Sequence, residues 1–147
     1  MNKFRVFDKK KKTMNYKGFL LDNEGNLYKI NKHNGLLMKC NQEYFVVMHC
    51  IGREDISGKE IYEKDILEYE TGCHFIVGFG KHDVFCPGDK RDTTNQGYIA
   101  IDYNGDTPNY NEIYPLSELE KLARVIGYYI DENNIYGVSR TYAGEDM

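Results

Sequence analysis

The sequence contains no tryptophan, only three prolines, and no Cys-x-x-Cys pair among its four cysteines. It has no apolar run near the roughly eighteen residues that a membrane-spanning helix needs. No apolar segment follows the basic start, so we expect no secretory signal. These features predict no membrane association and disfavour a zinc knuckle. The four cysteines are expected to be free thiols in a reducing cytosol.

What is present fits a globular protein. The 147 residues carry 41% hydrophobic and 29% charged side chains and a net charge of −4. This length predicts one domain, residues 1–147. Within it we expect three parts: N-terminal hairpins over 1–45, a barrel portion over 46–131 and a tail over 132–147.

Aromatic residues and turn residues predict a mainly β fold. Thirteen tyrosines, seven phenylalanines and fourteen glycines accompany short apolar runs that are separated by turn sequences. Predicted strands cover 16–21, 27–30, 36–38, 44–50, 65–70, 74–80, 98–103 and 124–130. Asn34-Gly35 predicts a type I′ hairpin turn, in which both central residues have positive φ. Many short strands at this spacing predict a small barrel or a strongly bent sheet.

Three segments complete this prediction. Ser117 is a suitable N-cap for one short helix over residues 117–123. Residues 86–96 are rich in Pro, Gly, Asp, Thr and Asn and predict a loop. The tail allows three interpretations, namely an edge strand, a contact with a neighbouring subunit, or a loose end.

No residue pattern predicts catalysis or metal binding. Asp102, Asn104 and Asp106 begin like a calcium loop, but Thr107 and Ile113 stand where that loop needs Gly and Glu, so a hairpin turn is the better interpretation. Alternation along a strand places Glu68 and Glu70 on the same face, as a pair of catalytic carboxylates would require. An ordinary solvent-exposed strand face has the same pattern. We therefore predict no catalytic, cofactor-binding or metal-ligating residues.

The basic residues concentrate near the N-terminus. Through residue 17 the chain has seven basic residues and one acid, or +6, so the remainder sums to −10. Lys9, Lys10, Lys11 and Lys12 form a run with two interpretations. It is either a polyanion-binding patch or the solvated tip of a hairpin, and we favour the tip.

Residues 51–69 form a distinctive segment. Gly52 and Gly58 bracket a predicted loop in which Asp55 and Ser57 can bond the local backbone. Ile61 and Tyr62 supply an apolar anchor, and Asp65 begins the next strand. We interpret the segment as a self-bonded loop that feeds a barrel strand. The alternative is a recognition surface made of Arg53, Asp55, Lys59 and Glu60.

This segment resembles the hallmark run of the YopX family of bacteriophage and prophage proteins. The matching residues are Gly52, Asp55, Gly58, Lys59, Glu60, Ile61, Tyr62, Glu63, Asp65 and Ile66. Two more segments are similar to the family's opening and closing motifs: Lys3-Phe4-Arg5-Val6-Phe7-Asp8 and Val125-Ile126-Gly127. At four positions the chain departs from the run: Ile51, Arg53, Ser57 and Lys64. Lys64 replaces a Gly, so a turn that needs positive φ there must be strained or rearranged.

The resemblance implies a β-rich fold with an SH3-like barrel portion and no established enzymatic activity. It carries over no catalytic or ligand-binding residues. We expect a non-enzymatic phage or prophage accessory protein in the cytoplasm of a bacterial host, acting through contacts with itself or with a host or phage protein. The alternative is a single-stranded nucleic-acid-binding module that uses Lys9–Lys12 and tyrosines. A third is a small enzyme or metal protein built on Cys73, His74, His82 and Cys86.

Overall fold

The computed structural model describes residues 3–86, 91–116, 122–131 and 139–143. These residues contain thirteen strands: β1 (Phe4–Asp8), β2 (Thr13–Asn15), β3 (Phe19–Leu21), β4 (Leu27–Ile30), β5 (Leu37–Lys39), β6 (Phe45–Glu54), β7 (Glu60–Tyr62), β8 (Asp65–Tyr69), β9 (His74–Cys86), β10 (Arg91–Tyr103), β11 (Pro108–Pro115), β12 (Ala123–Asp131) and β13 (Ser139–Ala143). The predicted mainly β fold is confirmed.

The chain divides into two compact units, residues 1–50 and 51–147. The prediction of one domain with parts 1–45, 46–131 and 132–147 stays a prediction. In the first unit, β1 pairs antiparallel with β2 and with the start of β6, while β3, β4 and β5 form a three-stranded antiparallel sheet. Four buried apolar side chains form its interior: Val6, Phe7, Leu27 and Met48.

The hairpin predicted at Asn34-Gly35 is present, but its turn type is not the predicted one. Ile30 pairs with Leu37, which leaves a longer loop between β4 and β5. Gly35 has a φ of 72°, whereas Asn34 is not among the residues with positive φ. The loop is closed by backbone hydrogen bonds instead, because the Asn31 amide donates to the Leu36 carbonyl and the Gly35 amide donates to the Asn31 carbonyl.

The second unit is built on a six-stranded sheet in the order β11-β10-β9-β8-β12-β13. Consecutive residues of its central strands belong to two different apolar clusters. Leu67, Val77 and Ala100 belong to one, and their chain neighbours Ile66, Ile76 and Ile101 belong to the other. Because successive side chains of a strand point to opposite faces, the sheet is covered on both sides.

The sheet is curled. Strands β10 and β12 are separated by two intervening strands, which is about 14 Å in a flat sheet. The rings of Tyr103 on β10 and Tyr129 on β12 nevertheless lie 5.6 Å apart between centroids. The sheet therefore bends toward this side, in agreement with the prediction of a small barrel or a strongly bent sheet.

Three segments of the second unit test the remaining predictions. The loop predicted over 86–96 is wrong over 91–96, because β10 begins at Arg91, which pairs with Cys86; residues 87–90 lie outside the described ones. Backbone pairing with β9 in this segment outweighs the weak strand propensity of its side chains.

The prediction of a short helix over 117–123 is wrong at Ala123, because this residue begins strand β12. Residues 117–121 lie outside the part of the chain that the structure describes. Of the tail, Ser139–Ala143 pairs with β12 as an edge strand.

Candidate functional site

A tight turn at Asp55 lies within the distinctive segment of residues 51–69. Asp55 is only 6% exposed. Its Oδ1 accepts hydrogen bonds from the Ser57 amide at 2.9 Å, the Ser57 hydroxyl at 2.8 Å and the Lys59 amide at 2.9 Å. The Asp55 amide donates to the Lys59 carbonyl, and Gly58 has a φ of 87°. A side chain at position 58 would be strained there, so glycine suits the turn.

The second carboxylate oxygen of Asp55 connects this turn to a distant strand. Oδ2 accepts a hydrogen bond from the Val125 amide of β12 at 2.8 Å. The neighbouring Ile56 amide donates to the Ala123 carbonyl at 3.0 Å. Beyond Val125 the register of β12 against β8 shifts, with Ile126 as the extra residue of a bulge. Asp55 thus joins the central and closing segments that resemble the YopX motifs.

The surroundings of Asp55 favour its ionised form. Burial opposes ionisation, but the hydrogen bonds from Val125, Ser57 and Lys59 outweigh it, so the pKa of Asp55 lies below its ordinary 3.8. A carboxylate with both oxygens occupied by backbone and hydroxyl donors is a structural group. It is poorly placed to transfer a proton or to contact a ligand.

A second carboxylate, Asp65, holds the next turn. Asp65 is buried, and its Oδ2 accepts a hydrogen bond from the Tyr62 amide at 2.7 Å. Between them, Lys64 has a φ of 73°, in the left-handed region. The Lys64 amide donates to the Val77 carbonyl and its carbonyl accepts from the Tyr129 amide. The turn expected to be strained or rearranged is therefore strained, and hydrogen bonds on both sides hold it.

The other predicted motif residues divide between interior and surface. Ile61 and Tyr62 are buried, as expected of an apolar anchor. Gly52, Gly58, Lys59 and Glu60 are exposed, and Glu63 is half-buried. Gly52 belongs to the end of β6 rather than to a loop. Arg53, a member of the alternative recognition surface, donates from Nη1 to the Leu116 carbonyl at 3.0 Å.

An open groove of about 520 Å³ lies in the second unit, and the exposed side chains of Ile56 and Leu122 contribute to its lining. Glu68 lines it and accepts a hydrogen bond from Arg124 at 3.1 Å, while its other oxygen is 3.0 Å from His74 Nε2. The hydrogen bond with His74, followed by that with Arg124, lowers the pKa of Glu68 below its ordinary 4.5. Sequence reasoning missed this cluster, because its three members lie on three different strands.

Of the cysteines and histidines proposed as a third alternative, three lie along strand β9, and Cys73 immediately precedes that strand. Both His74 and His82 lie on β9, which runs over His74–Cys86. At about 3.3 Å per residue, these two positions are roughly 26 Å apart along the strand. They therefore do not form one cluster. In the described part of the chain, no group of three or more His, Cys, Asp or Glu side chains is arranged to hold a metal. Asn104 accepts from the Asp106 and Thr107 amides, which confirms the hairpin turn predicted there.

The lysine run forms the tip of the β1–β2 hairpin. Asp8 Oδ1 accepts from the Lys10 amide at 2.9 Å and the Lys11 amide at 3.0 Å, which closes the tip. Asp8 pairs with Thr13 across the hairpin. The Lys10 ammonium lies 4.1 Å from the centroid of the Tyr44 ring. The run therefore lies at the tip of a hairpin, and its role as a polyanion-binding patch stays a prediction.

Lysines of other strands join the tip to form what we call the basic face. Two neighbouring depressions, of about 500 and 440 Å³, both include Lys11, Lys29 and Met38 in their walls. The lysines that line one or both are Lys10, Lys11, Lys17, Lys29, Lys32 and Lys39. Sequence reasoning found only the first two, because sheet pairing brings in the others.

Charge in the first unit favours anions. Residues 1–50 hold ten Lys or Arg and four Asp or Glu, a net charge of +6, so residues 51–147 carry −10 of the total −4. Among the described residues that line the two depressions, Asp8 is the only carboxylate, and it is buried. The Cys40 thiol lines one depression, and burial raises the pKa of this thiol. The basic face therefore carries an excess of positive charge.

These features define a small, strand-rich protein whose buried carboxylates hold its own backbone and whose basic face is open to solvent. The chain belongs to the YopX family, since the family model described as YopX protein matches residues 3–129. No curated protein matches the chain. Over the residues that the structure describes, none of the helical segments has the length and apolar character to span a bilayer.

Proposed function

We propose that this protein is a non-enzymatic accessory protein, encoded by a phage or prophage, that acts through protein–protein contacts in the cytoplasm of a bacterial host. Its first partner is a second copy of the chain. Membership of the YopX family supports the phage or prophage origin. The binding role is supported by the engagement of Asp55 and Asp65 with the backbone, which leaves these buried carboxylates without a chemical task.

The observation that carries this proposal is the apolar edge of the first unit. Leu36, Leu37 and Met38 are 64%, 51% and 62% exposed. Strand β5 is an edge strand of its sheet in the described part of the chain. An exposed apolar edge is a template for pairing with another strand.

The hydrogen-bonding pattern shows which groups of β5 are directed outward. The Asn31 amide donates to the Leu36 carbonyl, and the Cys40 amide donates to the Leu27 carbonyl. These pairs bond inward, so by alternation the backbone groups of Leu37 and Lys39 face away from β4. A second β5 would pair with them.

Light scattering across a concentration series tests the proposal. Leu37→Pro removes an amide that points away from β4 and preserves the hydrogen bonds to β4. We therefore expect the wild type to be an oligomer and the Leu37→Pro variant to be a folded monomer. Leu36→Thr and Leu122→Thr form a matched pair, because both leucines are 64% exposed. Only the change at Leu36 should weaken self-association. A monomeric wild type at high micromolar concentration would overturn the homo-oligomer.

A second candidate function is nucleic-acid binding, which the convergence of lysines on the basic face favours. Phosphate neutralisation by lysine gives affinity that falls steeply with salt. Fluorescence anisotropy with a labelled oligonucleotide at low and raised salt tests this candidate. Absence of binding at low salt would remove it.

A further inference from the structure

We propose that the basic face binds a single-stranded nucleic acid whose phosphates contact Lys11 and Lys29 and one of whose bases stacks on Tyr44. This inference rests on the second candidate function and assigns it a site. Lys11 and Lys29 are central because both line the two depressions, so a chain that crosses from one depression to the other passes them.

The electrostatic argument depends on what lines this path. Six lysines line it, and the one carboxylate among its described residues, Asp8, is engaged by the Lys10 and Lys11 amides. For a single strand, each phosphate contact contributes about −0.7 to the slope of log affinity against log salt. Contact with all six lysines would give a slope of about −4.

The stacking argument depends on Tyr44. This half-buried ring lines one depression, and the Lys10 ammonium rests on it at 4.1 Å from the centroid. A base can replace the ammonium on the ring, while Lys10 moves to a phosphate of the same chain. Both the base and the phosphate then gain a partner. A single strand is favoured over a duplex because only unpaired bases can enter a depression and stack on its wall.

The electrostatic part is tested by anisotropy with labelled oligonucleotides of about 16 nucleotides, the upper site size of small barrel domains. One deoxyribonucleotide probe, one ribonucleotide probe and one duplex are compared. We expect Lys11→Gln with Lys29→Gln to weaken single-strand binding about tenfold and to reduce the salt slope by about 1.4. Lys59→Gln with Lys64→Gln removes the same charge in the second unit, away from the basic face, and should leave the slope nearly unchanged.

The stacking part uses inorganic polyphosphate as a second probe, because it has phosphates but no bases. Tyr44→Leu keeps an apolar side chain, so we expect about tenfold weaker oligonucleotide binding and unchanged polyphosphate binding. Equal losses for both probes would overturn the stacking role.

The outcomes separate the inference from the function on which it rests. Absence of oligonucleotide binding at low salt overturns both. Binding whose salt slope survives the loss of Lys11 and Lys29 keeps the second candidate function and overturns this site. Duplex binding as tight as single-strand binding overturns the assignment to single strands. A difference between the two single-stranded probes identifies which nucleic acid is preferred.

Discussion

Replacing Asp55 by Asn tests the claim that this carboxylate holds the second unit together. The ionised group accepts four hydrogen bonds, three at Oδ1 and one at Oδ2. Asn offers one oxygen and one amide. If the Asn oxygen takes the place of Oδ1 and accepts from Ser57 and Lys59, the Asn NH₂ group takes the place of Oδ2. This group then faces the Val125 N–H, and two donors cannot form a hydrogen bond with each other.

The expected cost follows from these contacts. Asp55→Asn loses one hydrogen bond to a charged group, leaves a partly buried amide of β12 without its acceptor, and weakens the three remaining bonds. We expect the free energy of unfolding to fall by about 3 kcal/mol at neutral pH. Urea unfolding followed by circular dichroism measures it. The matched control is Glu54→Gln at the exposed neighbouring residue, which should change stability by less than about 0.5 kcal/mol.

The pH dependence gives an independent check. Because the folded-state pKa of Asp55 lies below 3.8, its stabilisation is complete above that value and is lost as the pH falls through the folded pKa. The difference between wild type and Asp55→Asn should therefore shrink in acid. A neutral-pH difference below about 0.5 kcal/mol would refute the role of Asp55. So would a difference that persists undiminished in strong acid.

Three further perturbations test other features. Lys64→Gly should stabilise the protein by about 1 kcal/mol in urea unfolding, because φ is 73° there, and Lys64→Ala, which keeps its Cβ, should give no such gain. Cys40 should react with iodoacetamide more slowly than Cys73 in peptide mapping, because burial raises the pKa of the Cys40 thiol and Cys73 is exposed; equal rates would contradict this. Glu68→Gln should lower the thermal midpoint at neutral pH. That effect should fade as the pH falls below 4.5, since the hydrogen bonds with His74 and Arg124 lower the pKa of Glu68; a constant difference would argue against the cluster.

Local patterns in the sequence predicted much of the fold. Strand β4 coincides with the prediction, and the turns at Asn34-Gly35 and Asn104-Gly105 join strands as expected. These features depend on short-range chemistry that a sequence displays directly. The residues from Arg91 to Gln96 resemble a loop by the same criteria, yet they pair with β9. Their conformation depends on a partner strand, which composition does not reveal.

The candidate sites were predicted in the same uneven way. Asp55 was expected to bond its own loop, and it does; its bond to Val125, 70 residues away, depends on how the sheet closes. Lys10 and Lys11 were visible as a run, whereas Lys29 and Lys39 join them through the pairing of β4 with β5. Sequence identifies residues that act locally. Tertiary pairing determines which of them meet.

The motif residues and the proposed binding residues have different tasks, and this limits what family membership can predict. In the opening motif, Arg5, Val6 and Phe7 are buried and Asp8 closes a turn. In the central motif, Asp55 and Asp65 bond the backbone. Lys29, Lys39 and the apolar edge of β5 belong to none of the three motifs. The motifs therefore specify how the chain folds, whereas the binding that we propose depends on residues displayed between them. A variant that changes Lys29 should alter nucleic-acid affinity without altering the free energy of unfolding. Asp55→Asn should lower the free energy of unfolding, but at temperatures where the variant stays folded its nucleic-acid affinity should be unchanged.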